Sequence, residues 1–155
     1  MTVQILQKET YLTMLENSVG SRQYRTLWAD VDGVTKDILD NGQLSCAFFV
    51  SSILNHFRLI DTPHARTEGL VRDMERNGWT KTDAPVPGCV VVWEAQEQKS
   101  GVYPHSGFYL TSTEVLSHTD ATQTPQKHHV TFGEKEDGTP KRNITSIYTH
   151  DFLNS

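Results

Sequence analysis

The chain has 155 residues, of which 36% are hydrophobic and 21% are charged, and its formal net charge is -5. This length corresponds to one domain, which is large enough to bury a hydrophobic core without disulfides or a metal ion. The acidic balance disfavours a nucleic-acid partner, because contacts to phosphates need a surplus of Lys and Arg.

The N-terminus carries no recognisable targeting signal. Residues 1–9 read MTVQILQKE, in which no basic stretch precedes an apolar one, so we predict no signal peptide. No apolar run approaches the roughly 20 residues that a membrane-spanning helix needs. We therefore expect a protein that is cytoplasmic as synthesised and has no membrane partner. An extracellular role would need delivery by lysis or by a specialised secretion system.

The pattern of residues 1–40 predicts a helical N-terminal part. Residues 10–18 place apolar side chains at helical spacing, with Gly20 as a stop signal. Residues 22–39 carry further apolar side chains, interrupted by Asp32 and Gly33. We interpret this stretch as one or two short helices around a turn.

A buried helix is predicted to begin at Cys46. From Cys46 to Phe57 the apolar residues follow the helical period, and Ser45 fits the N-cap position. The next helix is predicted to run from Thr62 or His64 to Asn77, with a proline in its first turn and a glycine after its last residue.

The second half of the chain has the pattern of strands. Short apolar runs predict strands at residues 89–93, 105–110, 115–118, 129–132 and 144–149, and the turn at residues 111–114 predicts a hairpin. Helices followed by antiparallel strands indicate an α+β fold. We predict one domain, residues 1–155, with N-terminal helices packed on an antiparallel sheet of about five to six strands.

Cys46 is the candidate nucleophile because of its position at the start of a helix. Unpaired N–H groups in the first helical turn favour a thiolate over a thiol and can hold the oxyanion of an attacked carbonyl. Two other interpretations stay open: Cys46 is a small buried apolar residue, or it forms a disulfide with Cys89.

His105 is the candidate base, since a thiol nucleophile needs a nearby proton acceptor. It begins one strand of the predicted hairpin, and His118 lies on the partner strand. If the two imidazoles share a face, one can orient the other through its second nitrogen. The alternative for His105 is an ordinary solvent-facing histidine.

Three blocks of the sequence resemble the NlpC-type family of papain-like cell-wall peptidases. The blocks are residues 45–50 (SCAFFV), residues 87–93 (PGCVVVW) and residues 105–110 (HSGFYL) followed by His118, and together they define a motif-bearing core at residues 44–118. The resemblance implies a papain-like fold. It also implies hydrolysis of amide bonds in peptidoglycan stem peptides.

The same resemblance implies roles for individual residues. Cys46 would be the nucleophile, His105 the general base and His118 the orienting third residue, while Tyr24 and Ser45 would lie at the substrate or oxyanion site. We expect a peptidoglycan or peptide substrate and no cofactor. An inhibitor or immunity protein would fit as a further partner, and the resemblance does not indicate an oligomeric state.

The chain departs from the family pattern at two motif positions. Ser45 and Cys89 each stand where the family usually has Asp, and we predict none of the export signal that most members carry. These departures leave open a non-catalytic papain-like binding module, or a leaderless effector or deamidase acting on a protein target. We expect no metal site, because adjacent histidines such as His128 and His129 point to opposite faces of a strand.

Overall fold

Three α-helices precede most of the sheet in this computed structural model, which describes residues 1–98 and 100–154. The helices are α1 (Gln7–Asn17), α2 (Cys46–His56) and α3 (Thr67–Arg76). The strands are β1 (Trp28–Val31), β2 (Val34–Asp37), β3 (Thr80–Lys81), β4 (Val90–Gln98), β5 (Gly101–Tyr109), β6 (Glu114–Thr119), β7 (Thr124–His129) and β8 (Ile144–Thr149), and a short 3-10 helix covers Asp151–Asn154. This confirms the predicted α+β class.

The main sheet has six antiparallel strands in the order β3-β8-β4-β5-β6-β7. Strands β1 and β2 form a separate two-stranded sheet. The pairing of β4 with β5 shifts register between Trp93 and Gln96, and such an irregularity bends the strands locally.

The two faces of the main sheet bury different clusters. Helix α2 packs on β5 and β6, and the core beneath it includes the sheet residues Val90, Val92, Phe108 and Leu116. A smaller cluster on the opposite face consists of Val91, Trp93 and Val115. Side chains alternate between these faces along each strand, so neighbouring residues of β5 or β6 reach different surroundings.

Helix α2 begins at Cys46, as predicted, because its apolar residues form the centre of the core. Phe49 packs edge-to-face on Phe108, with 5.5 Å between ring centroids. Burial of an aromatic side chain of this size contributes about 1.5–3 kcal/mol. Ser45 occupies the N-cap position, as predicted, although its side chain makes no capping hydrogen bond.

Helix α3 begins later than predicted, and the proline at position 63 lies outside it. The buried carboxylate of Asp73 accepts hydrogen bonds from the backbone N–H groups of Asp61 (2.8 Å) and Thr62 (3.2 Å). It also lies 2.6 Å from His64 Nε2. These bonds hold residues 61–64 as a loop, so the helix starts only at Thr67.

Residues 28–37 form a β-hairpin, so the prediction of short helices there is wrong. Asp32 and Gly33 both adopt positive φ, at 53° and 83°. This is the backbone of a two-residue hairpin turn, for which Asp-Gly is a strong sequence signal. The N-terminal part therefore contains one α-helix and one hairpin.

Two further strand predictions have different outcomes. The strand at residues 144–149 is confirmed by β8. The one placed at residues 129–132 is wrong in position, because β7 ends at His129.

Within the described ranges, no helix has the length and apolar character required to cross a membrane.

Candidate active site

A cavity of about 310 Å³ opens at the start of α2. Its lining includes three of the predicted site residues, Cys46, His105 and His118. Arg142, which follows β7 in the chain, also lines it. The fold therefore gathers residues that are far apart in the sequence.

Cys46 presents a free, half-buried thiol at the first position of α2. Its sulfur lies 4.0 Å from Thr67 Oγ1, which lies 3.3 Å from Ser106 Oγ. Cys89 is also free and is buried directly before β4, where its sulfur accepts the N–H of Val86 at 3.4 Å. The disulfide alternative is therefore wrong.

His105 is fixed through one ring nitrogen. It lies on β5 opposite Trp93 of β4, and the two rings are 5.2 Å apart. Its Nε2 is 2.9 Å from Ser117 Oγ, and that oxygen is 2.6 Å from His128 Nε2. This series of hydrogen bonds ends at the carbonyl oxygen of His129, which lies 2.8 Å from His128 Nδ1.

The His129 carbonyl sets the direction of every hydrogen bond in this series. Burial lowers the pKa of His105 well below its usual value and also lowers the pKa of His128, so both rings are neutral at neutral pH. A carbonyl only accepts, so His128 Nδ1 carries the hydrogen and its Nε2 accepts the hydroxyl hydrogen of Ser117.

The Ser117 oxygen is then left to accept, and His105 Nε2 must donate to it. His105 Nδ1 is therefore the unprotonated nitrogen of its ring. Within the described part of the chain, Nδ1 makes no hydrogen bond, and Cys46 makes none to His105. This arrangement gives the cavity a neutral imidazole with its basic nitrogen unoccupied.

His118 does not contact His105, contrary to the sequence-based expectation. Phe108 pairs with Leu116, which places Ser117 on the face of His105 and turns His118 to the face of α2. There His118 is only 2% exposed and packs near Phe49, with ring centroids 6.3 Å apart. The hydrogen-bond partner of His105 is thus Ser117 and not His118.

Neither ring nitrogen of His118 has a hydrogen-bond partner within the described residues. Burial lowers its pKa to about 4, with a further contribution from the nearby Arg25. A neutral imidazole that lines the cavity in this state can donate to or accept from a bound molecule.

Tyr24 and Ser45 do not line the cavity as the described residues define it. Tyr24 is buried against Phe49, with 4.9 Å between ring centroids, and its hydroxyl oxygen accepts from Gln23 Nε2 at 2.6 Å. The Ser45 hydroxyl is buried without a partner within residues 1–98 and 100–154. Their expected substrate or oxyanion roles find no geometric counterpart.

Sequence reasoning missed Thr67, Ser117, His128 and Arg142. For Ser117 a usable signal existed, because the alternation of the hairpin puts residues 105, 107, 117 and 119 on one face when 108 pairs with 116. No comparable local signal marks Arg142.

In the part of the chain that the structure describes, there is no group of three or more His, Cys, Asp or Glu side chains that could hold a metal ion.

No protein-family model matches the sequence, and no curated protein matches it either. The resemblance to NlpC-type peptidases therefore stays a prediction.

Proposed function

We propose that the protein is a papain-like cysteine hydrolase that cleaves an amide bond, with Cys46 as the nucleophile and His105 as the general base. The observation that supports this most is the cavity itself. It combines a free thiol at a helix N-terminus with an imidazole whose Nε2 is engaged and whose Nδ1 is free. Thiol nucleophiles act with such a base, itself oriented by a third group.

In the proposed reaction His105 Nδ1 takes the thiol proton while the Cys46 sulfur attacks the amide carbonyl. Backbone N–H groups in the first turn of α2 stabilise the oxyanion. The C–N bond then breaks, His105 returns the proton to the leaving amine, and a thioester remains. Water, deprotonated by His105, hydrolyses that thioester and restores the free thiol.

The first step requires a rearrangement that brings the Cys46 sulfur to His105 Nδ1. In the structure the sulfur lies next to Thr67 and not within hydrogen-bonding distance of the described imidazoles. Catalytic hydrogen bonds are often long in unliganded enzymes and tighten when substrate binds. The proposal therefore requires that rotation of the Cys46 side chain or a bridging water connects the sulfur to His105 across the cavity that both residues line.

Peptidoglycan stem peptides are the proposed substrate, following the resemblance of the motif blocks. A cavity of about 310 Å³ suits a short peptide segment, and its lining offers both cationic and anionic side chains, including Arg66, Arg142, Glu68 and Asp120. Stem peptides carry free charged groups that such a lining can recognise.

The test compares two cysteine variants on purified peptidoglycan. We expect Cys46→Ala to abolish release of peptide fragments, measured by mass spectrometry, while circular dichroism shows an unchanged fold. Cys89→Ala is the matched control, because Cys89 is a free thiol directly before β4, outside the described lining of the cavity, and it should retain fragment release. Fragment release by Cys46→Ala would contradict the mechanism.

A binding module is the second candidate, because Cys46 makes no direct hydrogen bond to the described imidazoles and Ser45 replaces an expected Asp. In that case the wild-type protein would sediment with peptidoglycan without releasing fragments. Iodoacetamide labelling separates the two candidates as well. An activated Cys46 alkylates well below pH 8.5, the ordinary thiol pKa, whereas an inert one does not.

A further inference from the structure

Arg142 is a buried cation at the edge of the cavity. Its side chain is only 7% exposed and lines the space next to Cys46. Nε donates to the carbonyl oxygen of Glu94 at 2.9 Å, and Nη2 donates to the carbonyl oxygen of Tyr103 at 2.8 Å. Both acceptors are neutral, so these bonds fix the guanidinium without neutralising it.

No carboxylate within the described residues lies within 4.0 Å of the Arg142 guanidinium. The Glu94 side chain is engaged elsewhere, since its Oε1 accepts the backbone N–H of Asn143 at 3.0 Å. Burial lowers the pKa of Arg142, and Cys46, Glu94 and Asp120 offset this effect from a distance. A buried charge without a direct counter-ion is costly, so a site that keeps one is suited to an anion that arrives with the ligand.

Three N–H groups of Arg142 make no hydrogen bond within the described ranges, two on Nη1 and the second one on Nη2. A guanidinium has five N–H groups, of which Nε and Nη2 each use one here. Carboxylates are the natural partners of this planar group, because two of its N–H groups can bind two oxygens at once.

We propose that Arg142 forms a carboxylate-binding subsite, and that the protein selects substrates with a free carboxylate close to the amide bond that Cys46 attacks. Selection of substrates rests on the proposed function, because it presupposes hydrolysis. Binding of the carboxylate by Arg142 does not depend on hydrolysis. Arg142 is then a specificity-determining residue that positions the amide carbonyl over the sulfur.

The cavity contains a second arginine, which supplies a control. Arg66 is exposed, and its guanidinium lies over the ring of Tyr103 at 5.9 Å from the centroid. Because this guanidinium is exposed to solvent, it attracts anions only weakly. Substitution of Arg66 therefore tests for general electrostatic attraction.

The principal experiment uses two small alkylating reagents that differ by one carboxylate. The Cys46 sulfur attacks the CH2 carbon of iodoacetate and of iodoacetamide alike and displaces iodide from both, so the ratio of the two rates cancels any change in thiol reactivity. We expect the ratio in the folded protein to exceed that of the same cysteine in denatured protein. In Arg142→Gln it should fall about tenfold, as expected for loss of a charged hydrogen bond. Peptide mass spectrometry distinguishes Cys46 from Cys89.

The outcomes separate the subsite from its alternatives. An unchanged rate ratio in Arg142→Gln overturns the proposal. A preference for iodoacetate that disappears in Arg66→Gln but persists in Arg142→Gln also overturns it. Arg142→Lys, which keeps the charge but not the planar pair of donors, should retain only part of the preference. A folded Arg142→Gln variant with normal iodoacetamide labelling and a lowered ratio supports the subsite even if peptidoglycan is not cleaved.

A second measurement does not need an Arg142 variant that folds. In Cys46→Ala, which cannot react, acetyl-glutamate amide and acetyl-glutamine amide are titrated by NMR. They have nearly the same shape and differ in one carboxylate. Preference for the glutamate compound by about tenfold, maintained in the double variant with Arg66→Gln, supports the subsite. Equal binding, or binding of neither compound, overturns it.

Discussion

The hydroxyl of Ser117 lies between two imidazoles, 2.9 Å from His105 Nε2 and 2.6 Å from His128 Nε2. A serine has one hydrogen to donate, so it can satisfy His128 only if it accepts from His105. A single hydroxyl therefore transmits the fixed tautomer of His128 to His105. In the proposed mechanism this keeps Nδ1 of His105 free of hydrogen and able to take the thiol proton.

Ser117→Ala is expected to reduce kcat by about 10- to 100-fold while KM changes little. This loss is a fraction of the rate enhancement that general base catalysis contributes. The variant lets His105 exchange tautomers and rotate, because its Nε2 loses its acceptor. Nitrogen NMR of labelled histidine measures the tautomer directly, and we expect the wild-type ring to carry hydrogen on Nε2 alone.

Two control variants accompany this substitution. Ser117→Thr keeps the hydroxyl and should recover most of the activity. Ser51→Ala removes another buried serine hydroxyl, which accepts the backbone N–H of His64 at 2.7 Å and makes no hydrogen bond with His105. This variant should leave the tautomer of His105 unchanged. A mixture of tautomers in the wild type, or full activity of Ser117→Ala, would refute the relay.

At the scale of elements, the loop between β2 and α2 connects the hairpin to the candidate nucleophile. Asp37 organises its start, because its carboxylate accepts the backbone N–H groups of Leu27 (3.0 Å), Leu39 (3.0 Å) and Asn41 (2.8 Å). Residues 38, 43 and 44 of this loop line the cavity. The loop thus contributes to the wall around Cys46.

Asp37→Ala is expected to lower the free energy of unfolding by about 1–3 kcal/mol, since three backbone donors lose a charged acceptor. Hydrolysis should fall with it, because the cavity wall loses its support. Asp30→Ala is the matched control in the same hairpin, where the carboxylate accepts one exposed N–H, that of Gly33 at 2.7 Å. Urea unfolding of both variants measures the difference, and equal effects would show that Asp37 does not organise the loop.

Periodicity predicted the elements whose apolar residues are buried and failed where they are exposed. Helix α2 and strand β8 were found because their apolar side chains face the core. In the β1–β2 hairpin the same kind of residue lies in solvent: Trp28 is 67% exposed and Val34 is 61% exposed. A pattern of apolar residues carries no information about a segment that does not bury them.

The candidate site was predictable to the extent that it depends on local position. Cys46 was identified from the start of a helix and His105 from the predicted strand of a hairpin. The third residue depended on register, in which an error of one position changes the face of the sheet, so His118 was chosen in place of Ser117. Arg142 reaches the cavity only through the pairing of distant strands, which no local pattern encodes.

At the scale of the whole molecule, histidines that are buried and neutral make folding sensitive to acid. His118 is a residue of β6 that faces α2, and both its ring nitrogens lack partners within the described residues. Its pKa of about 4 lies below the ordinary value of 6.5, so between these two values the unfolded chain binds a proton that the native one does not. Stability therefore falls as pH decreases through this window.

The expected slope is at most about 1.4 kcal/mol per pH unit between pH 6.5 and 4 for this one group. His118→Leu removes the titrating ring from an apolar site and should flatten the dependence of the unfolding free energy on pH. His105 and His128 act in the same direction, so part of the slope should remain. Urea unfolding at several pH values measures it, with His56→Gln as the control because His56 is exposed. Parallel curves for wild type and His118→Leu would show that His118 is not held neutral by the fold.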